Sequence, residues 1–153
     1  MSSEQVRLIN DVITRIRAMS ERTAQMSSCA AAVIGINTTD LACINMLLNG
    51  PLTPGEMARR VGLTTAAMTG VLDRLEQGGF VTRTRDPRDR RRVLVEFRAH
   101  EAGPGLARVF RPVLSGWRTQ LADYDARDLR LIVDFLDRIE NVLATEIDRM
   151  QGP

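Results

Sequence analysis

The sequence predicts a mostly helical fold carrying one small β-hairpin. Three observations lead there. Apolar residues recur every three to four positions through most of the chain, the spacing of helices with one buried face. Two short runs suited to strands, residues 80–85 and 93–97, flank a turn on Asp86-Pro87-Arg88-Asp89. Helix-starting and helix-stopping residues punctuate the rest at intervals of one helix each.

The first helix is expected over residues 4–34, with Val6, Ile9, Val12, Ile13, Ile16 and Met19 on one face and Gly35 as its stop. Asn37, Thr38 or Thr39 can cap a second, carrying Leu41, Ile44, Leu47 and Leu48 and ending at Asn49-Gly50-Pro51. Thr53 caps a short third helix with Pro54 at its first position, and Glu56 completes a T-x-x-E capping box. Val61-Gly62-Leu63 is a turn. Thr64 then caps a fourth helix holding Ala67, Met68, Val71, Leu72 and Leu75, stopped by Gly78-Gly79. The hairpin follows. Gly103-Pro104-Gly105 is expected to open a fifth helix reaching Leu121, and a sixth runs over 126–150 with an apolar stripe from Leu129 to Ile147. That stripe holds one face for five turns, longer than a small core needs, and reads as a surface for a partner helix. Three blocks result, not three independent domains: a dimerisation helix (1–36), a central lobe (37–99) and C-terminal dimerisation helices (100–153).

Composition is that of an ordinary globular protein, 44% hydrophobic and 26% charged. No apolar run approaches the roughly 20 residues of a membrane span, and the start lacks the apolar region of a signal peptide, so a cytoplasmic protein with no membrane partner is expected. One histidine and two cysteines leave little room for a metal site, and there is no P-loop, G-x-S-x-G or G-x-G-x-x-G. No catalytic residue, metal or cofactor is expected.

Net charge is only +2, but charge is segregated. Residues 79–98 hold seven arginines against three acids, whereas 122–153 hold four against eight. Every basic residue is arginine, whose planar fork suits phosphates and guanine edges. A thin hairpin with little core of its own and this charge points to a nucleic-acid backbone. Two helices joined by a tight turn and followed by such a hairpin make a winged helix-turn-helix. Residues 53–60 would be the positioning helix and 64–77 the recognition helix, with Thr64, Thr65, Ala66, Thr69, Gly70, Asp73 and Arg74 facing outward toward the major groove. Gly70 stands out there as a glycine inside a helix, at a cost of about 1 kcal/mol relative to alanine.

The run from Leu52 to Val95 resembles the MarR family of bacterial winged-helix regulators. It carries both D-R-L-E-x-x-G-F-V-x-R, from Asp73 to Arg83, and D-P-x-D-R-R, from Asp86 to Arg91. The resemblance implies a homodimer joined through its first and last helices, two recognition helices in successive major grooves, and wings in the minor groove. It also implies that Asp89 orients Arg91 toward the minor groove, with Arg85, Arg88 and Arg90 touching the backbone. A narrow groove concentrates negative potential and favours an inserted guanidinium. The DNA-contact set is thus Thr64, Thr65, Ala66, Thr69, Arg74, Arg85, Arg88, Asp89, Arg90 and Arg91, on a pseudo-palindromic operator of double-stranded DNA. The chain departs from the family after the wing, where Phe97-Arg98-Ala99 replaces the usual L-T-x-x-G.

Family members commonly release DNA on binding a small aromatic or phenolic molecule, which implies a repressor with such an effector. Met19, Met46 and Trp117, with Met26 and Tyr124, are candidates for its cavity because thioethers and aromatics suit an adaptable apolar site. Two other readings stand beside this one: a thiol-redox switch through Cys29 or Cys43, and a winged helix used as a protein-interaction module.

Overall fold

The computed structural model describes residues 1–152, with the side chain of Gln151 left aside. Its elements in chain order are α1 (Ser3–Ile34), α2 (Thr38–Leu47), α3 (Pro54–Val61), α4 (Thr65–Gln77), β1 (Val81–Arg85), β2 (Val93–Phe97), α5 (Ala99–Leu121) and α6 (Ala126–Gln151). The fold is the mostly helical one with a two-stranded hairpin that the sequence predicts. The backbone forms two compact units, Met1–Val109 and Phe110–Pro153.

Local chemistry accounts for most boundaries. Ser2 caps α1 by accepting from the Gln5 N–H, and Gly35 ends the helix at φ 84°, a left-handed conformation that glycine adopts without strain. Asn37 caps α2 through the Asp40 N–H at 2.8 Å. Thr53 and Glu56 form the reciprocal capping box of α3, and Gly62 at φ 69° turns the chain into α4. Asp125 caps α6 by accepting from Arg127 and Asp128.

The core of the first unit lies where α2, α3, α4 and the hairpin meet. Leu41, Ile44, Met57, Met68, Leu72, Leu75, Val81 and Val95 are almost completely buried there. β1 and β2 pair antiparallel in the register Val81↔Phe97 through Arg85↔Val93. Leu52 pairs with Val95 through both backbone bonds (3.2 and 2.8 Å) and so ties the α2–α3 connection to the sheet.

One boundary differs by four residues. The Gly103-Pro104-Gly105 segment was expected to open α5, yet the helix begins at Ala99. The Arg98 N–H donates to the Phe80 carbonyl, and the Arg98 carbonyl accepts from Glu101 and Ala102. Its guanidinium also bonds Glu101 at 2.6 Å. The chain therefore leaves β2 already turned into a helix. Pro104, the sixth residue of α5, lies past the first turn and so leaves the helix one bond short, at the His100 carbonyl.

The second unit is different in kind. α6 has no buried residue among those described. Leu131, Val133, Leu136, Val142, Leu143 and Ile147 are all about half exposed or more.

Candidate nucleic-acid interface

The recognition helix α4 is held by one face. Met68, Val71, Leu72 and Leu75 are buried, which leaves Thr64, Thr65, Ala66, Thr69 and Gly70 exposed on the other. Thr64 is the N-cap: its hydroxyl accepts from the Ala67 N–H at 3.2 Å. The Thr69 hydroxyl donates to the Thr65 carbonyl at 3.0 Å. The helix thus offers an N-terminal turn with free backbone donors and a small, mostly uncharged surface.

Arg74 is placed differently from the groove contact expected of it. Its Nε and Nη2 donate to the two carboxylate oxygens of Asp40 at 2.9 and 2.6 Å. Asp40 is 1% exposed, the one buried charged residue among those described, while the Arg74 side chain remains half exposed. A buried carboxylate needs such a bidentate partner to offset its lost hydration. Asp40 in turn raises the pKa of Arg74 above its ordinary value. The pair fixes α4 to α2, so Arg74 serves first as an anchor of the recognition helix.

The hairpin is fastened to α4 by a second arginine. Arg83 donates through Nη1 to Glu76 at 3.0 Å and through Nη2 to Asp73 at 2.7 Å, and its backbone N–H also donates to Glu76 at 3.2 Å. At the tip, the Asp86 and Asp89 carboxylates accept from the backbone N–H groups of Arg88 (2.8 Å) and Arg91 (3.0 Å). Arg85 donates to the Arg90 carbonyl at 2.8 Å. Asp89 therefore engages Arg91 through the backbone N–H of that residue. The short carboxylates are consumed in folding the loop, and the guanidinium groups of Arg88, Arg90 and Arg91 find no acid within the described residues. Arg92 lies 3.9 Å from Glu56, whose carboxyl is held below its ordinary value by hydrogen bonds from the Thr53 N–H and hydroxyl, with Arg92 and Arg60 adding attraction.

This geometry, an anchored helix with an open N-terminal face and a cationic loop pinned beside it, is matched by known proteins. The family described as MarR matches residues 35–93. An uncharacterized HTH-type transcriptional regulator of Bacillus subtilis, YcgE, is 32% identical over 136 residues, covering 88% of each chain. The chain belongs to the MarR family. Its fold is likewise that of solved MepR variants from S. aureus. One, from a clinical isolate, superposes with a TM-score of 0.68 at 16% identity over 86% of this chain and 96% of that one. Another, solved with an oligodeoxyribonucleotide, superposes at 0.53 and 17% identity over 86% and 97%. The protein is thus a MarR-family transcriptional regulator with a DNA-binding fold, and not an enzyme.

The sequence offers Met19, Met46 and Trp117 for an effector cavity of this MarR-family chain. Met19 and Trp117 are 57% and 60% exposed, and neither they nor Met46 line the cavities described. One cavity of the first unit, about 260 Å³, is bounded by Val33, Ile34, Phe80, Ala102, Arg108 and Val109 among others. A second, about 230 Å³, lies against Asn37, Asp40, Arg74 and Phe80. Sequence reasoning missed both because their walls come from four elements. Cys43 is completely buried, and burial, together with the Asp40 charge, pushes its thiol up to about 11, which keeps it a protonated, unreactive core residue. Cys29 is exposed on α1.

Proposed function

We propose that the protein is a sequence-specific, dimeric repressor that binds a pseudo-palindromic operator and leaves it when a small-molecule effector binds. The observation that carries the DNA reading is the wing tip. Arg88, Arg90 and Arg91 project from a loop whose acids are spent on its own backbone, beside the exposed face of α4. Cations held out in this way have an external anion as their natural partner. Thr65, Ala66 and Thr69 face the major groove, Arg91 enters the minor groove, and Arg85, Arg88 and Arg90 follow the backbone, with Asp89 shaping the loop. The dimer reading rests on the apolar residues left exposed along α1 and α6. The effector reading rests on the cavities beside Phe80, and an aromatic or phenolic molecule fits their size.

The test is a footprint of the full chain on its own upstream DNA at two salt concentrations. A protected pseudo-palindrome with half-sites about 10 bp apart, weakening steeply with salt, is expected. Uniform binding to all sequences would overturn the reading. Arg91→Ala is expected to cost about 1–3 kcal/mol of operator binding and to reduce the salt slope, measured by fluorescence anisotropy. An unchanged affinity and slope would remove Arg91 from the interface.

A further inference from the structure

A glycine that nothing inside the molecule requires stands within the recognition helix. Gly70 lies in α4, on its exposed side, immediately after Thr69. It is absent from the positive-φ glycines, so the backbone there suits any residue. A Cβ added to it would meet no heavy atom within 4 Å. Gly78, by contrast, could not take one without meeting the Phe80 ring at 2.9 Å. Glycine at 70 costs the helix about 1 kcal/mol relative to alanine, and the fold gains nothing in return. Gly55, Gly103, Gly105 and Gly116 are equally free of internal demands, but Gly70 alone of these lies on the exposed side of α4, where a close contact with a partner would use it.

The neighbours narrow what that contact can be. Around Gly70, the Thr69 hydroxyl donates its proton to the Thr65 carbonyl and keeps only acceptor capacity, and the Asp73 carboxylate accepts from Arg83. Gly70 has no side chain with which to donate or accept, and its backbone groups belong to the helix. What it offers is approach, since removing Cβ lets a partner come roughly 1.5 Å nearer the helix axis. Among base edges in the major groove, the feature recognised by apolar contact alone is the thymine methyl group. We infer that Gly70 is a specificity-determining position at which α4 seats a thymine C5-methyl against the bare Cα, one in each half-site. This inference rests on the reading of α4 as the recognition helix.

The experiment compares the full-length wild type with Gly70→Ala on the footprinted operator, on scrambled DNA, and on operators carrying deoxyuridine, which lacks only the methyl, at each thymine in turn. Gly70→Ala should melt higher than wild type. It should bind the operator roughly 10-fold more weakly, the size of one base contact, while binding scrambled DNA as before. One deoxyuridine position per half-site should weaken the wild type and leave Gly70→Ala unaffected. An operator-selective wild type alongside an unimpaired Gly70→Ala overturns this inference and leaves the DNA reading standing. So do deoxyuridine penalties that are the same for both proteins. A wild type without operator preference overturns the reading of α4 itself, and this inference with it.

Discussion

The apolar residues of α4 and those of α6 follow the same periodicity and meet opposite fates. In α4, Met68, Leu72 and Leu75 vanish into a core built from α2, α3 and the hairpin. In α6, Leu136, Leu143 and Ile147 stay about half exposed on a helix twice as long. A helical stripe specifies that something will cover it but not whether the cover lies in the same chain. What separates the two helices is their surroundings. α4 is bracketed by short elements joined by tight turns that fold back on it, whereas α6 is a single long helix.

Three substitutions probe that contrast, and the largest effect is expected outside the core. Leu136→Asp on α6 should leave a folded monomer with no tight operator binding, seen by sedimentation velocity and gel shift. A monomer holding the full operator at wild-type affinity would show that the exposed stripe has another use. Next is Arg74→Ala, inside the better-packed region. It leaves Asp40 buried without its partner and should cost about 3 kcal/mol in urea unfolding, the lower end for such pairs because Arg74 itself is half exposed. A loss under about 1 kcal/mol would mean that water replaces the guanidinium. The smallest effect belongs to Glu56→Gln, which should cost about 0.5–1 kcal/mol at neutral pH. The Glu56 pKa is depressed in the folded state, so its contribution is present above its ordinary value of 4.5 and is lost as the pH falls below it. The variant should therefore lose less stability than the wild type across that acid range, read from thermal melts.

The parts legible in the sequence are those decided within a few residues. Asn37, the Thr53–Glu56 box, Thr64 and the glycines at 35 and 62 each act on neighbours up to four positions away, and each helix start or stop falls where these residues put it. The illegible parts depend on distance along the chain. Asp40 reads as an ordinary first-turn acid of α2, and only the fold reveals that Arg74, 34 residues later, meets it. Gly103-Pro104-Gly105 reads as a break because its signals are strong locally, while the Arg98–Phe80 bond that starts α5 earlier comes from the sheet. Arg83 counted only as one more wing cation. Its link to Asp73 and Glu76 lies within a motif already visible in the sequence, though its geometric purpose was not.

That link has a consequence for the operator itself. Arg83 binds β1 to α4 through four hydrogen bonds, to Thr69, Asp73 and Glu76, so the hairpin and the recognition helix behave as one calliper with a set jaw width. On the DNA reading proposed above, the number of base pairs between the bases met by α4 and the flank met by the wing is then fixed by protein geometry. A single inserted pair would also rotate the flank by about a tenth of a helical turn away from the wing. In any set of operators for this protein, spacing within each half-site should vary less than the bases themselves.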